Sequence, residues 1–161
     1  MDTETFLNTM KLYRHKLLNE LQVIHGYQSM NMKEESMEKL NRFIGELNAE
    51  RVLQSLDAPE YVRLILLWKI QHPEIRLQYQ TTGKSQSLRN YVQVMCRDAQ
   101  TVIDKVEEVA QEDTSLSIHL SYQPEIKIDY IVTNVEKDKQ NDSENEAEND
   151  LQKIVFQYRY K

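Results

Sequence analysis

His15 is the residue of this chain whose neighbours most suggest chemistry. It falls at the start of Lys11–Met30, a stretch with no proline and one glycine, whose apolar residues return at helical spacing. Phe6, Met10, Tyr13, Leu17, Leu21 and Ile24 follow each other three or four residues apart, so they are expected to form one core stripe. Asn8, Lys11, His15, Asn19, Gln22 and Gly26 run down the opposite side at the same spacing. His15 should therefore face away from the core, with Arg14 and Lys16 beside it in sequence and Lys11 and Asn19 one turn away. An exposed imidazole among cations suits a nucleophile for an anionic group, because the cations steer the anion and offset charge during transfer. Phosphoryl transfer asks for little more, since positioning and charge stabilisation do most of the work. Taken alone, such a histidine is more often only solvated surface.

The local pattern goes further. Arg14-His15, Asn19, Leu21-Gln22, Ile24 and Gly26-Tyr27 resemble the phosphoacceptor helix of the bacterial sporulation initiation phosphotransferase B family. The related helix of citrate- and fumarate-type sensor histidine kinases is similar. The family pattern runs Arg-His, an acid, two apolar residues, Asn, any residue, Leu-Gln, then an apolar-x-Gly ending, and Lys16 stands where the acid would be. The resemblance implies that His15 is catalytic, with Lys11, Arg14, Lys16, Asn19 and Gln22 contacting the phosphoryl group or a receiver. It implies a cytoplasmic phosphotransferase that moves a phosphoryl group between aspartates of response-regulator receiver domains during control of sporulation initiation. No cofactor is expected on this chain, and Mg2+ only on the receiver. In the kinases the acid after the histidine assists proton removal or orients water, so Lys16 argues against autokinase and phosphatase activity. The alternative is a non-catalytic dimeric adaptor that binds receivers or kinases and carries no phosphate.

Other chemistry finds little support. The only glycines are Gly26, Gly45 and Gly83, and none forms the Gly-rich loop that cradles a nucleotide phosphate. The stretch Tyr91–Val106 has no Asn to hold the magnesium of ATP, and Asp98 and Asp104 are expected on a helix surface. ATP binding is not expected. His25, His72 and His119 are not spaced as a metal set with Cys, Asp or Glu. Cys96 is the only cysteine, which excludes an internal disulfide and points to a reducing cytoplasm. No apolar run nears the ~20 residues needed to cross a bilayer, and no signal pattern opens the chain. Net charge is −6, and residues 136–150 alone hold seven acids and two lysines. No basic stripe with interleaved aromatics is present, so nucleic acid is not an expected partner.

The elements that must position His15 read as an α+β chain. Residues 1–56 form an antiparallel helical hairpin, with one helix to about Met30 and a second from about Glu34 to Leu56 striped by Met37, Leu40, Ile44 and Leu47. Two amphipathic helices cannot enclose a core alone, so a homodimer with a four-helix bundle is expected, unless the hairpin packs on the rest of its own chain. Residues 57–161 read as a second domain, a small α/β sandwich. Asp57-Ala58-Pro59 starts a buried helix, with Asp57 as its cap, that Pro73 stops. Ile75, Leu77 and Tyr79 make a strand, and a helix runs from about Leu88 to Val109. Strands follow at Leu116–Tyr122, Ile126–Val132 and Ile154–Tyr160, with Lys137–Asp150 as a mobile hairpin loop before the last. By the same resemblance this sandwich is similar to a degenerate histidine-kinase ATP-binding domain.

Overall fold

Asp2 opens the first helix, its carboxylate accepting from the Thr5 amide at 2.8 Å and occupying one of the free N–H groups of the first turn. This helix, α1, spans Thr3–Ser29. Asn31 then takes a left-handed φ of 60°, a conformation Asn tolerates better than most side chains, and the chain reverses into α2, Lys33–Gln54. Contacts between Tyr13 and Glu50, Lys16 and Glu46, Glu20 and Lys39, and Ile24 and Ser36 count in opposite directions along the two helices, so the hairpin is antiparallel. The computed structural model describes residues 2–111, 113–135 and 151–161. The expected loop at 137–150 lies outside the described residues.

After the hairpin come α3 (Pro59–Gln71), β1 (Arg76–Thr82), a 3-10 turn at Arg89–Tyr91 and α4 (Val92–Val109). Strands β2 (Ser115–Ser121), β3 (Ile126–Val135) and β4 (Leu151–Tyr160) complete the order. One mixed sheet runs β1-β2-β3-β4, with β1 and β2 parallel and the other pairs antiparallel. A parallel neighbour needs a crossover of a dozen residues or more, which α4 supplies. Tyr79, Ile118, Tyr130 and Phe156 lie opposite one another from strand to strand, so strict alternation puts a continuous apolar row on one face. That face joins residues of α3 and α4, among them Ile65, Trp68, Met95, Ala99 and Val102, in one buried cluster. Leu53 and Leu56, at the end of the hairpin, are buried in the same cluster, so the histidine-bearing unit is anchored in the sheet's core.

Several expectations change in the folded chain. The stripe on α1 is split: Ile24 is buried and Tyr13 and Leu17 half-buried, but Phe6, Met10 and Leu21 are exposed, as are Leu7, Leu12 and Leu18. One neighbouring helix covers only part of a helix's circumference, and α1 has little beyond α2 against it. Asp57 does not cap α3. Ala58 holds the cap position without a side-chain bond, while Asp57 accepts from Ser87 and Arg89 at 2.8 and 2.9 Å. Asp98 is buried rather than on the surface, where the Tyr160 hydroxyl donates to it at 3.1 Å. The helix expected from Leu88 begins with the 3-10 turn instead.

Two features of the core yield measurable consequences. The buried hydroxyls of Tyr61 and Tyr130 are hydrogen-bonded to each other at 3.0 Å, whereas the buried Tyr79 hydroxyl has no partner among the described residues. Removing one member of a buried pair strands the other, so Tyr61→Phe should cost about 1–3 kcal/mol in urea unfolding and the double change to Phe less than the two single costs together. Tyr79→Phe should be neutral or stabilising.

Lys69 is 5% exposed and donates its ammonium to the carbonyls of Pro73 and Ile75, tying the end of α3 to the start of β1. Burial, then the nearby Lys16 charge, pushes its pKa down to about 8. From there up to the ordinary value of 10.5 the unfolded chain binds the extra proton, so this residue makes stability rise with pH across that window. Urea midpoints at about pH 7.5 and 9.5 should therefore climb more for the native chain than for Lys69→Met. An equal climb would contradict this.

Candidate phosphoacceptor site

Side chains on an α-helix are set about 100° apart, so residues four away diverge by ~40°, residues seven away by ~20°, and immediate neighbours point to different sides. His15 is exposed on α1, and Lys11, Asn19 and Gln22, also exposed, share its face. Asn19 reaches the ring: its amide nitrogen donates to His15 Nδ1 at 3.1 Å. Arg14 is exposed too but diverges toward the open apolar side of Leu7, Leu18 and Leu21.

Lys16 diverges the other way. Its side chain, 14% exposed, lies against α2 with the ammonium 3.5 Å from Glu50 and 3.8 Å from Glu46. The Tyr13 hydroxyl donates to Glu50 at 3.3 Å, and burial together with that carboxylate pushes the phenol's pKa up. Lys16 therefore sits behind His15, in the joint between the helices, rather than on the face that a phosphoryl group would approach. Glu46 and Glu50 were not singled out from sequence. Two acids four apart on α2 were visible, but only the hairpin register shows which cation they meet.

The other histidines are placed differently. His72, where α3 ends, has Nδ1 3.3 Å from Glu74 and Nε2 3.2 Å from Glu107, so both ring nitrogens are engaged. His119, on β2, has Nε2 3.0 Å from the Thr82 hydroxyl. His25 is exposed on α1, where its carbonyl accepts from the Ser29 hydroxyl. A groove of 550 Å³ opens between the first turn of α1, α3 and α4, lined by residues including Arg63, Trp68 and Glu107, and does not include His15. Among the described residues no three His, Cys, Asp or Glu side chains are grouped to hold a metal ion, and no helix is long and apolar enough to cross a membrane.

The site is thus an open helix face with one polar clasp on the imidazole and, among the described residues, no hydrogen-bond partner at Nε2. It can present a nucleophilic nitrogen to a group carried by another molecule. No curated protein matches the chain. Residues 1–56, the hairpin that carries His15, match the family of the sensor kinase SpoOB-type, alpha-helical domain.

Proposed function

We propose that His15 is a phosphoacceptor, taking a phosphoryl group from the aspartate of one response-regulator receiver domain and passing it to another in the control of sporulation initiation. The observation that carries this reading is an exposed imidazole, held at Nδ1, on the hairpin that matches the SpoOB-type domain. Such a domain implies a phosphorelay role. The reacting steps then need only this face. With the ring proton on Nδ1, the Nε2 lone pair attacks phosphorus in line, the P–O bond of the aspartyl phosphate breaks, and its electron pair leaves on the receiver's carboxylate. Mg2+ belongs to the receiver. Lys11, on the face of His15, supplies positive charge to guide the acidic receiver and offset the transferring phosphoryl group. Gln22 and the Cβ-free surface at Gly26, where an added Cβ would meet nothing within 4 Å, leave room for close approach along the same face.

The working unit in this proposal is a cytoplasmic homodimer. Leu7, Met10, Leu18 and Leu21 of α1 and Met37 and Ile44 of α2 are each at least 40% exposed. Bringing two hairpins together as a four-helix bundle would remove both stripes from water, at roughly 25 cal/mol for each Å² of apolar surface. In the same reading residues 57–161 form a second domain that resembles a degenerate kinase ATP-binding domain and no longer serves ATP.

Incubation with a radiolabelled phospho-receiver should transfer acid-labile, base-stable label to the chain. His15→Gln should abolish it with circular dichroism unchanged, and His25→Gln should retain it in full. Label that survives His15→Gln would overturn the assignment. Absence of label with every receiver that binds would favour the adaptor. Light scattering of the unmodified chain should give twice 19.2 kDa, and Leu21→Glu should lower it. A monomer mass at micromolar concentration would rule out the bundle.

A further inference from the structure

We propose that Asn19 is the positioning residue of the His15 imidazole, holding Nδ1 so that Nε2 alone receives the phosphoryl group. This rests on the phosphoacceptor reading and adds to it the atom that is used and the residue that selects it. A neutral imidazole has one nitrogen that donates and one that accepts, and the partner of one nitrogen decides the state of the other. In this chain the nearest such partner is Asn19, four residues on, with its amide nitrogen 3.1 Å from Nδ1. The neighbouring position 16 does not compete for the ring. It is a lysine, which only donates, and its ammonium is committed to Glu46 and Glu50 of α2.

An amide differs from a carboxylate here because it can both donate and accept. Donating Nδ2–H to Nδ1, as in the structure, it favours the ring with its proton on Nε2, a resting state with no lone pair there. Turned over, Oδ1 accepts from Nδ1–H, and the Nε2 lone pair is free to attack. Nδ1 is occupied in both states, so attack through it is blocked in both. The balance of the step follows. The Nε2–P bond forms, the acyl phosphate P–O bond breaks with its electron pair going to the receiver's carboxylate, and Nδ1 keeps its proton. The positive charge that develops on the ring is met by the Asn19 carbonyl oxygen. No proton has to leave Nε2, so no acidic neighbour is required as a base, which suits a chain with lysine after its histidine.

The test uses the full chain with 15N-labelled histidine and phosphoramidate, a small phosphodonor that needs no receiver. His25, on the same helix and followed four residues later by Ser29, whose hydroxyl goes to the His25 carbonyl, is the reference within each sample. In the native chain the 15N shifts of His15 should give a tautomer ratio distinct from that of His25, and phosphoramidate should modify His15 at Nε2 alone. In Asn19→Ala the ratio should move to that of His25, and the Nδ1 isomer should appear at about a tenth or more of the product. Asn19→Gln, which keeps an amide, should restore part of the selectivity. The inference is overturned if the native chain gives both isomers, or if Asn19→Ala leaves ratio and isomer unchanged. If phosphoramidate leaves His15 unmodified, the tautomer comparison decides alone. Selective modification by phosphoramidate with no transfer from any receiver would keep the role of Asn19 and remove the relay.

Discussion

Successive side chains on a helix point about 100° apart, and α1 divides its circumference under that constraint. One side meets α2 through Tyr13, Lys16, Glu20 and Ile24. The next carries the open leucines, and the third carries His15 with Lys11, Asn19 and Gln22. A charged residue placed in the joint cannot also serve the face behind it. Lys16 is such a residue. Its ammonium lies between two carboxylates four residues apart that would otherwise repel each other, so removing it leaves two poorly solvated negative charges facing α1. The rotation of the helix, and hence the outward aim of His15, depends on that joint.

The remainder of the fold holds the joint in place. Leu53 and Leu56 run from α2 into the core of the sheet, and α2 lies along β1, so the hairpin is not a free arm. Lys69 closes the turn from α3 into β1 close enough to Lys16 for their charges to be felt, alongside Glu46, Glu50 and Glu74. A change in the sheet half can therefore reach α1 through packing and charge together. In the proposed reading the chemistry stays on the surface, as transfer between two proteins requires.

Much of this was legible in the sequence because it is periodic. The two hairpin helices, the buried α3 and the alternating strands all announce themselves by spacing, and Arg14-His15 with Asn19 and Leu21-Gln22 marks the candidate site. What spacing does not carry is the identity of distant partners. Asp98 meets Tyr160, 62 residues away, so a local reading leaves it on the surface. Asp57 looks like a cap until Ser87 and Arg89 arrive from across the fold. Alternation in β1 and β2 marks strands without saying that they run parallel. Lys16 is adjacent to His15 in the chain, yet adjacency on a helix turns its side chain away, toward Glu46 and Glu50.

The most direct test of the account is to locate the phosphoryl group on the native chain after exposure to a phosphorylated receiver, by peptide mass spectrometry kept at neutral to alkaline pH. The account predicts a single added phosphoryl group on the peptide at His15, with His25, His72 and His119 unmodified. A phosphoryl group on any of those three, or a chain that binds the receiver and stays unmodified, would contradict it.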